Sequence, residues 1–356
     1  MQRMTFRRQM TPTSILQHLA AALGITLSLA GSSVGQMADV WQPYRPAATA
    51  GDEPLHSLPP VVPAQMQTMC EPAFACPPTM VVAPAYQAPV NINAYAAAPT
   101  DPAYWQWRVL PDGVVWQSYW AGVNEPRMAG VVFANDRGDA LLDASLGARM
   151  AIVRFGAEGP GRPVGAELQV EGAAFPRLNL DENWDLDATD FRVGVPLVYG
   201  RDRWEAKVAY YHLSSHMGDE YAIREGALAE RINYSRDAFT AALAIRPLPA
   251  WRWYAEAGWA FYTDGGSEPW EFQFGVDVAE PGPTGPGGAP FVAVNGHLRE
   301  EHNFGGNVVF QGGWFWRGQT TRALRIGFHY FNGKTNQFEF FDQFEEQIGG
   351  GLWYDF

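Results

Sequence analysis

Charge is scarce in this sequence. Asp, Glu, Lys and Arg make up 18% of its 356 residues, and positive residues are the minority, 25 against 38, for a formal net charge of −13. That balance repels phosphate backbones and argues against nucleic acid as a partner. Cysteine is nearly absent. Cys70 and Cys76 suit at most one small disulfide loop in an exported protein. They lie in a Pro-rich stretch, which argues against a catalytic role, and neither sits where a lipoprotein cysteine would. Long apolar runs are missing too. Past residue 31 no stretch stays apolar for about 18 residues, which excludes a spanning helix downstream. The signatures G-x-S-x-G and H-E-x-x-H do not occur. Gly333-Lys334-Thr335 imitates the end of a phosphate loop, but Phe328 stands where the first glycine of that loop would be.

Aromatic residues are plentiful at 14%, and so is Gly, with 37. That mixture suits a β-rich chain with many turns and broad aromatic surfaces. The N-terminus reads as an export signal. Arg3, Arg7 and Arg8 precede the apolar run Ile15 to Gly31, and small Ser33 and Gly35 follow. This is the pattern of a secretory signal peptide over residues 1–35, cut after Gly35. Gln17 and His18 interrupt the run, which counts against a membrane anchor. Residues 36–103 hold 13 of the 27 prolines. Repeated Pro removes backbone donors and blocks helix and central strand alike, so this region reads as a semi-rigid extended linker.

From residue 104 to 356 the texture is β. "VGAELQVEG" sets Val164, Ala166, Leu168 and Val170 against Gly165, Glu167, Gln169 and Glu171. "WEFQFGVDV" and "WRWYAEAGWAF" alternate in the same way, with aromatics at the strand ends. Period-2 alternation gives one apolar and one polar face. The polar face carries Glu, Gln, Arg, Gly and Tyr with small residues between, as a barrel lumen does. Export, strands of about ten residues and aromatic rims point to an all-β fold, a transmembrane antiparallel β-barrel in the bacterial outer membrane. Closure satisfies every strand edge, as hydrocarbon demands. "IGGGLWYDF" alternates and ends on Phe356. It resembles the terminal-strand signal of bacterial outer-membrane barrels, which implies the barrel assembly machinery as a partner.

Eleven strands are legible, near 142–155, 163–173, 188–199, 204–213, 232–246, 251–262, 269–279, 290–299, 303–316, 321–331 and 346–356. An even count needs one more before 142, from "VVWQSYWAG" or "MAGVVFA", giving twelve. Residues 200–203, 247–250 and 317–320 become short periplasmic turns, and 174–187, 214–231 and 332–345 extracellular loops. Lumen-facing charges such as Glu167, Glu171, Glu205, Lys207, Arg236, Arg252 and Arg325 either pair and plug the bore or line a narrow channel. Twelve strands make a modest bore, which favours the plug.

The densest reactive stretch is "YYHLSSHMGDEY", Tyr210 to Tyr221. Trp204, Ala206, Val208 and Tyr210 must face lipid, and parity carries His212 and Ser214 to the same side. On the next strand Phe239, Ala241, Leu243 and Ile245 face lipid, and parity carries Asp237, Ser235 and Asn233 outward. An imidazole beside a serine activates the hydroxyl, and a third polar group orients the ring. His212 and Ser214 are two residues apart on one face, about 6.5–7 Å along the strand. The rival reading is a polar rim that meets water and headgroups. For metal, His212 and His216 with Asp219 or Glu220 are the candidate ligands, and the oxygen-rich loop makes calcium a candidate ion.

The His-x-Ser pattern followed by Asn on the next strand resembles outer-membrane phospholipase A, a twelve-stranded family with an exterior Ser-His-Asn triad that uses calcium. It also resembles the outer-membrane lipid A deacylases, where His-x-Ser works with a Glu. The resemblance implies His212 as base, Ser214 as nucleophile and Asn233 as orienter, with Asp237, Glu225 and Glu230 as alternatives, and outer-membrane lipid as substrate. Ser215 and His216 stand where the phospholipase family has Asn-Gly. A broader resemblance runs from Leu110 to Phe356. "LPDG", "NEPR", "YHLSSHMGDEY", "RINYSRD", "PWEFQFG", "FHYFNGK" and "GLWYDF" look like the family called domain of unknown function 1207. It implies an outer-membrane barrel and no particular activity. The non-enzyme alternative is therefore a structural or transport barrel with a polar rim.

Overall fold

The computed structural model describes residues 101–159 and 162–356. The signal peptide, the Pro-rich stretch up to residue 100 and both cysteines lie outside the described residues. The strands are β1 (Gln106–Val109), β2 (Met128–Asn135), β3 (Ala140–Ala157), β4 (Val164–Asn179), β5 (Asp185–Arg201), β6 (Trp204–Met217), β7 (Ser235–Ile245), β8 (Trp251–Asp264), β9 (Trp270–Ala279), β10 (Ala289–Arg299), β11 (Gly305–Arg317), β12 (Ala323–Lys334) and β13 (Phe344–Asp355), with one short helix, α1 (Asp219–Glu225), after β6. From β2 to β13 each strand pairs antiparallel with the next, and β13 pairs back onto β2. Twelve strands thus close a barrel, and β1 is a thirteenth that pads β3 at Val153 to Gly156.

The period-2 expectation holds along the wall. On β6, Trp204 and Val208 are exposed while Glu205 and Lys207 are buried. The pattern inverts that of a soluble protein, with charge inside and Val, Leu, Phe and Trp outside. An apolar exterior of this extent, on a wall without free edges, is the surface of a membrane-spanning barrel. The turns 202–203, 246–250 and 318–322 cluster at one end, as expected. At the other end the strands run further than the sequence suggested. β4 reaches Asn179 and β6 reaches Met217, so the loops shrink to 180–184 and 218–234.

"MAGVVFA" is the extra strand, β2. "VVWQSYWAG" is not a strand. Residues 113–127 lie in the lumen, with Val115, Trp116, Tyr119 and Ala121 fully buried. Such a segment buries both faces, so alternation cannot tell it from a strand. Its backbone is satisfied by wall side chains instead of a ladder. Arg252 donates to Gln117 O at 2.9 Å and Ser118 O at 3.3 Å. Arg154 donates to Gly113 O at 2.8 Å. Glu167 accepts from Val115 N at 3.0 Å, and Asp277 from Trp120 N at 3.2 Å. Tyr119 stacks on Tyr254 with ring centroids 3.9 Å apart. Gly275 makes room for that packing, because a Cβ there would strike the Tyr254 ring.

Many lumen charges also pair with one another. Arg154 Nε lies 2.5 Å from Glu167, Lys207 Nζ 2.5 Å from Glu256, Arg149 2.5 Å from Glu171 and Arg325 2.7 Å from Asp355. The plug expected from the charge pattern is present, and a backbone segment completes it. Removing one partner of a buried pair strands the other charge. Arg154→Met is expected to destabilise the barrel by about 3–5 kcal/mol, read from the urea midpoint. Adding Glu167→Gln should recover most of the loss. Equal midpoints for wild type and the single variant would contradict this account.

The longer-loop end is capped by the turn Glu300–His302 and the turn Phe338–Phe340. His302 Nε2 lies 2.9 Å from Arg299 Nη2. A guanidinium only donates, so Nε2 accepts and the ring is neutral. Burial, then the Arg299 charge, holds the ring down to about 4 from an ordinary 6.5, with Lys334 and His297 adding to the effect. The unfolded ring takes its proton at the ordinary value while the folded ring refuses it. Cap stability therefore falls as pH drops through the window between the two. Amide exchange across residues 338–343, corrected for its intrinsic pH dependence, is expected to speed up over that window. His302→Gln should flatten the response.

Candidate active site

The stretch "YYHLSS" belongs to β6, between β5 and β7. Its register fixes what meets what. His212 is opposite Val193 on β5 and Asp237 on β7, and Ser214 is opposite Phe191 and Ser235. Tyr211, Leu213 and Ser215 are buried toward the lumen, and Ser215 donates to Asp190 there. His212, Ser214, Ser235 and Asp237 stand on the outer wall, partly exposed.

His212 Nδ1 lies 3.0 Å from Asp237 Oδ1. An ionised carboxylate only accepts, so Nδ1 carries a proton, and in the neutral ring the free lone pair is then on Nε2. The imidazole is thereby held in the tautomer that a base requires. Tyr210 OH donates to the same Oδ1 at 2.6 Å. Ser214 Oγ has no hydrogen-bond partner among the described residues. It follows His212 by two positions on the same face, about 6.5–7 Å along the strand.

A register shift between Asp237 and Ala238 marks a bulge in the β7–β8 ladder. Bulges bend a strand and re-aim side chains. Here the ring of Phe261 lies 5.2 Å from Phe239 and 6.3 Å from Tyr210, centroid to centroid. One register row below the His212–Asp237 pair, away from the loops, run Val195, Tyr210, Phe239, Trp259 and Trp270. This aromatic row is the belt that a barrel holds at a membrane interface. At the opposite end of the wall Trp204, Trp251, Trp253 and Trp314 are exposed.

Asp237, and not Asn233, is the group placed against His212. β7 begins only at Ser235, and Asn233 leaves the sheet with φ +52°. Parity counted past the strand start therefore fails for it. Backbone N–H groups of Ile232 and Asn233 instead face Glu339, a carboxyl that burial raises above its ordinary range. Glu225, on α1, pairs with Arg224, and Glu230 is exposed in the turn Leu228–Glu230. Neither meets His212. The proposed metal ligands are not gathered either. His216 packs on Phe191, Asp219 pairs with Arg231, and Glu220 is exposed. Among the described residues no three His, Cys, Asp or Glu side chains converge as a metal site. The residue that sequence reasoning missed is Tyr210. Its lipid-facing parity was legible, but the reach of its hydroxyl to the next strand was not.

The chain belongs to a family of unknown function. The family is described as "Protein of unknown function (DUF1207)", and its model matches residues 97–356. None of the curated proteins compared with the chain is a match. Among solved structures, outer membrane phospholipase A from Escherichia coli is similar at 12% identity and TM-score 0.42, over 64% of this chain and 90% of that one. The Salmonella typhi outer membrane phospholipase dimer gives 11% and 0.40, over 64% and 91%. The OccK11 protein of Pseudomonas aeruginosa gives 13% and 0.25, over 68% and 75%. Likeness at this distance assigns no activity.

The outward parity is testable without any activity. In a chain with Cys70 and Cys76 replaced by Ser, Ser214→Cys and Ser235→Cys are expected to react with a membrane-soluble maleimide. Ser215→Cys should stay unreacted. Labelling at 215 and not at 214 would reverse the face assignment.

Proposed function

We propose that this protein is an outer-membrane barrel that hydrolyses lipid acyl esters from the outside of its wall. The observation that carries the reading is the His212 Nδ1 to Asp237 Oδ1 contact of 3.0 Å, on the lipid side, with Ser214 on the same face. A paired carboxylate and imidazole on the outer wall costs little at this level, roughly 0–1 kcal/mol near the interface, so the site is placed where a polar pair can stand against lipid. The aromatic row beneath it marks the level where acyl esters meet headgroups. In this scheme Ser214 Oγ attacks the ester carbonyl and its proton passes to His212 Nε2. The imidazolium, stabilised by Asp237, then returns that proton to the leaving alcohol. Water, deprotonated by the same nitrogen, releases the fatty acid and restores Ser214.

The filled lumen argues against transport. Residues 113–127 occupy the bore, and carbonyls of that segment accept from the wall arginines Arg252, Arg154 and Arg325. A channel would need that segment to leave, and it is continuous with β2.

The test is acyl-chain release by the refolded barrel in mixed micelles of phospholipid or lipid A, with and without calcium. Ser214→Ala and His212→Ala are expected to abolish release. Asp237→Ala should lower it by about 10²–10⁴-fold, the size of a general acid–base contribution, while Asn233→Ala leaves it intact. Absence of release from folded wild type on every lipid would overturn the reading.

A further inference from the structure

A recess of about 580 Å³ opens on the outer wall beside the His212–Asp237 pair. Its lining includes Val208 and Tyr210 on β6, Phe239 and Ala241 on β7, and Ala257 and Trp259 on β8. The register explains the hollow. Across one row stand Leu197, Val208, Ala241, Ala257 and Phe272. Two alanines thus sit side by side between larger residues. The row above them is the aromatic one, with Phe239 and Trp259 directly over Ala241 and Ala257. The next row down adds Ala206 and Ala255 beside Leu243. The recess is therefore a trough that begins at the Tyr210 row and takes in the Val208 row below it, away from the loops.

We propose that this trough holds one acyl chain of the lipid whose ester is presented to Ser214, and that Ala241 and Ala257 set the chain length accepted. The inference deepens the acyl-hydrolase reading and rests on it for the step that follows binding. Three observations favour a lipid chain as the occupant. The lining is almost wholly apolar, and hydrocarbon is what surrounds it. Tyr210 belongs to both places, because its ring lines the recess while its hydroxyl holds Asp237. The distance also fits. Ser214 to Val208 is six residues of strand, about 20 Å, a span that an extended acyl chain with its ester near His212 can follow into the recess. A chain lying there fixes the ester at the level of His212. Tyr210 is then a positioning residue, joining the seat of the chain to the orientation of the imidazole.

The test separates binding from chemistry. The full barrel, delipidated in detergent, is titrated with palmitoyl lysophosphatidylethanolamine and examined by native mass spectrometry. Wild type and Ser214→Ala are both expected to retain one lipid. Ala257→Trp, which fills the trough, should weaken retention about tenfold or more, the scale on which a pocket discriminates by size. Val308→Trp, an exposed site on β11, controls for an added indole on the wall. Heat-modified gel mobility confirms folding of each variant, and Ala241→Leu provides a milder filling. In the hydrolysis arm, Ala257→Trp should slow release of palmitoyl chains and spare octanoyl chains. Tyr210→Phe should lower the rate on both chain lengths while keeping retention. Equal retention by wild type and both filled variants would overturn the proposal, as would retention by none. Loss caused equally by Val308→Trp would reduce the trough to general lipid contact, and a stable second copy seated there would replace the lipid with a dimer interface. Retention that Ala257→Trp abolishes, with no hydrolysis by wild type, would support the trough and overturn only the hydrolase reading.

Discussion

An arginine turned into a bore without bulk water must be paired where it stands. Isolated charge there costs many kcal/mol, and a stranded partner several. The rest of the molecule follows from that constraint. Arg149, Arg154, Arg177, Arg252 and Arg325 project inward, and each meets a carboxylate. Carboxylates alone do not use all the donors of a guanidinium. The carbonyls of residues 113–127 take several of the others, and that segment needs donors because it has no ladder of its own. Wall and plug each complete the hydrogen bonding of the other. The result is a stiff wall, and a stiff wall is what a catalytic constellation on its outer surface requires.

The two faces of the wall obey opposite rules. Inside, most buried charges are paired because water is scarce, while single atoms such as Trp116 Nε1 and Thr240 Oγ1 have no hydrogen-bond partner among the described residues. Outside, apolar side chains meet hydrocarbon, and a polar cluster stands out. The filled lumen and the exterior His212–Asp237 pair therefore belong to one picture. The interior is committed to holding the shape, and chemistry has been left to the surface that touches the lipid.

Much of this was legible because strand period is 2. Alternation along "YYHLSS" placed His212 and Ser214 outward and Ser215 inward, and the same rule placed Arg236 in the lumen. The lumen-side charges allowed either a plug or a narrow channel, and in the structure many of them pair across the bore. What failed did so where the period stops carrying information. "VVWQSYWAG", offered beside "MAGVVFA" for the first strand, is rich in the aromatic and β-branched residues that strands favour, yet it is buried on both faces inside the bore, and only three-dimensional enclosure separates the two. Asn233 was assigned outward by counting beyond the start of β7, where a left-handed residue breaks the count. Tyr210 was placed on the correct face, but a phenol reaches across to the next strand, and cross-strand register cannot be read from one strand alone. The metal grouping failed similarly, because α1 carries Asp219 and Glu220 off the sheet.

The seam of the barrel joins its first and last strands, and one ion pair spans it. Arg127, at the end of the luminal segment, lies 3.3 Å from Asp355 of β13, and the same carboxylate holds Arg325. The luminal segment precedes β2 in sequence, and its anchor lies on the final strand. Until β13 takes its place, Arg127 has no Asp355 to meet. Closure of the wall and neutralisation of Arg127 thus hang on the same strand, so one carboxylate clasps the seam and the segment behind it.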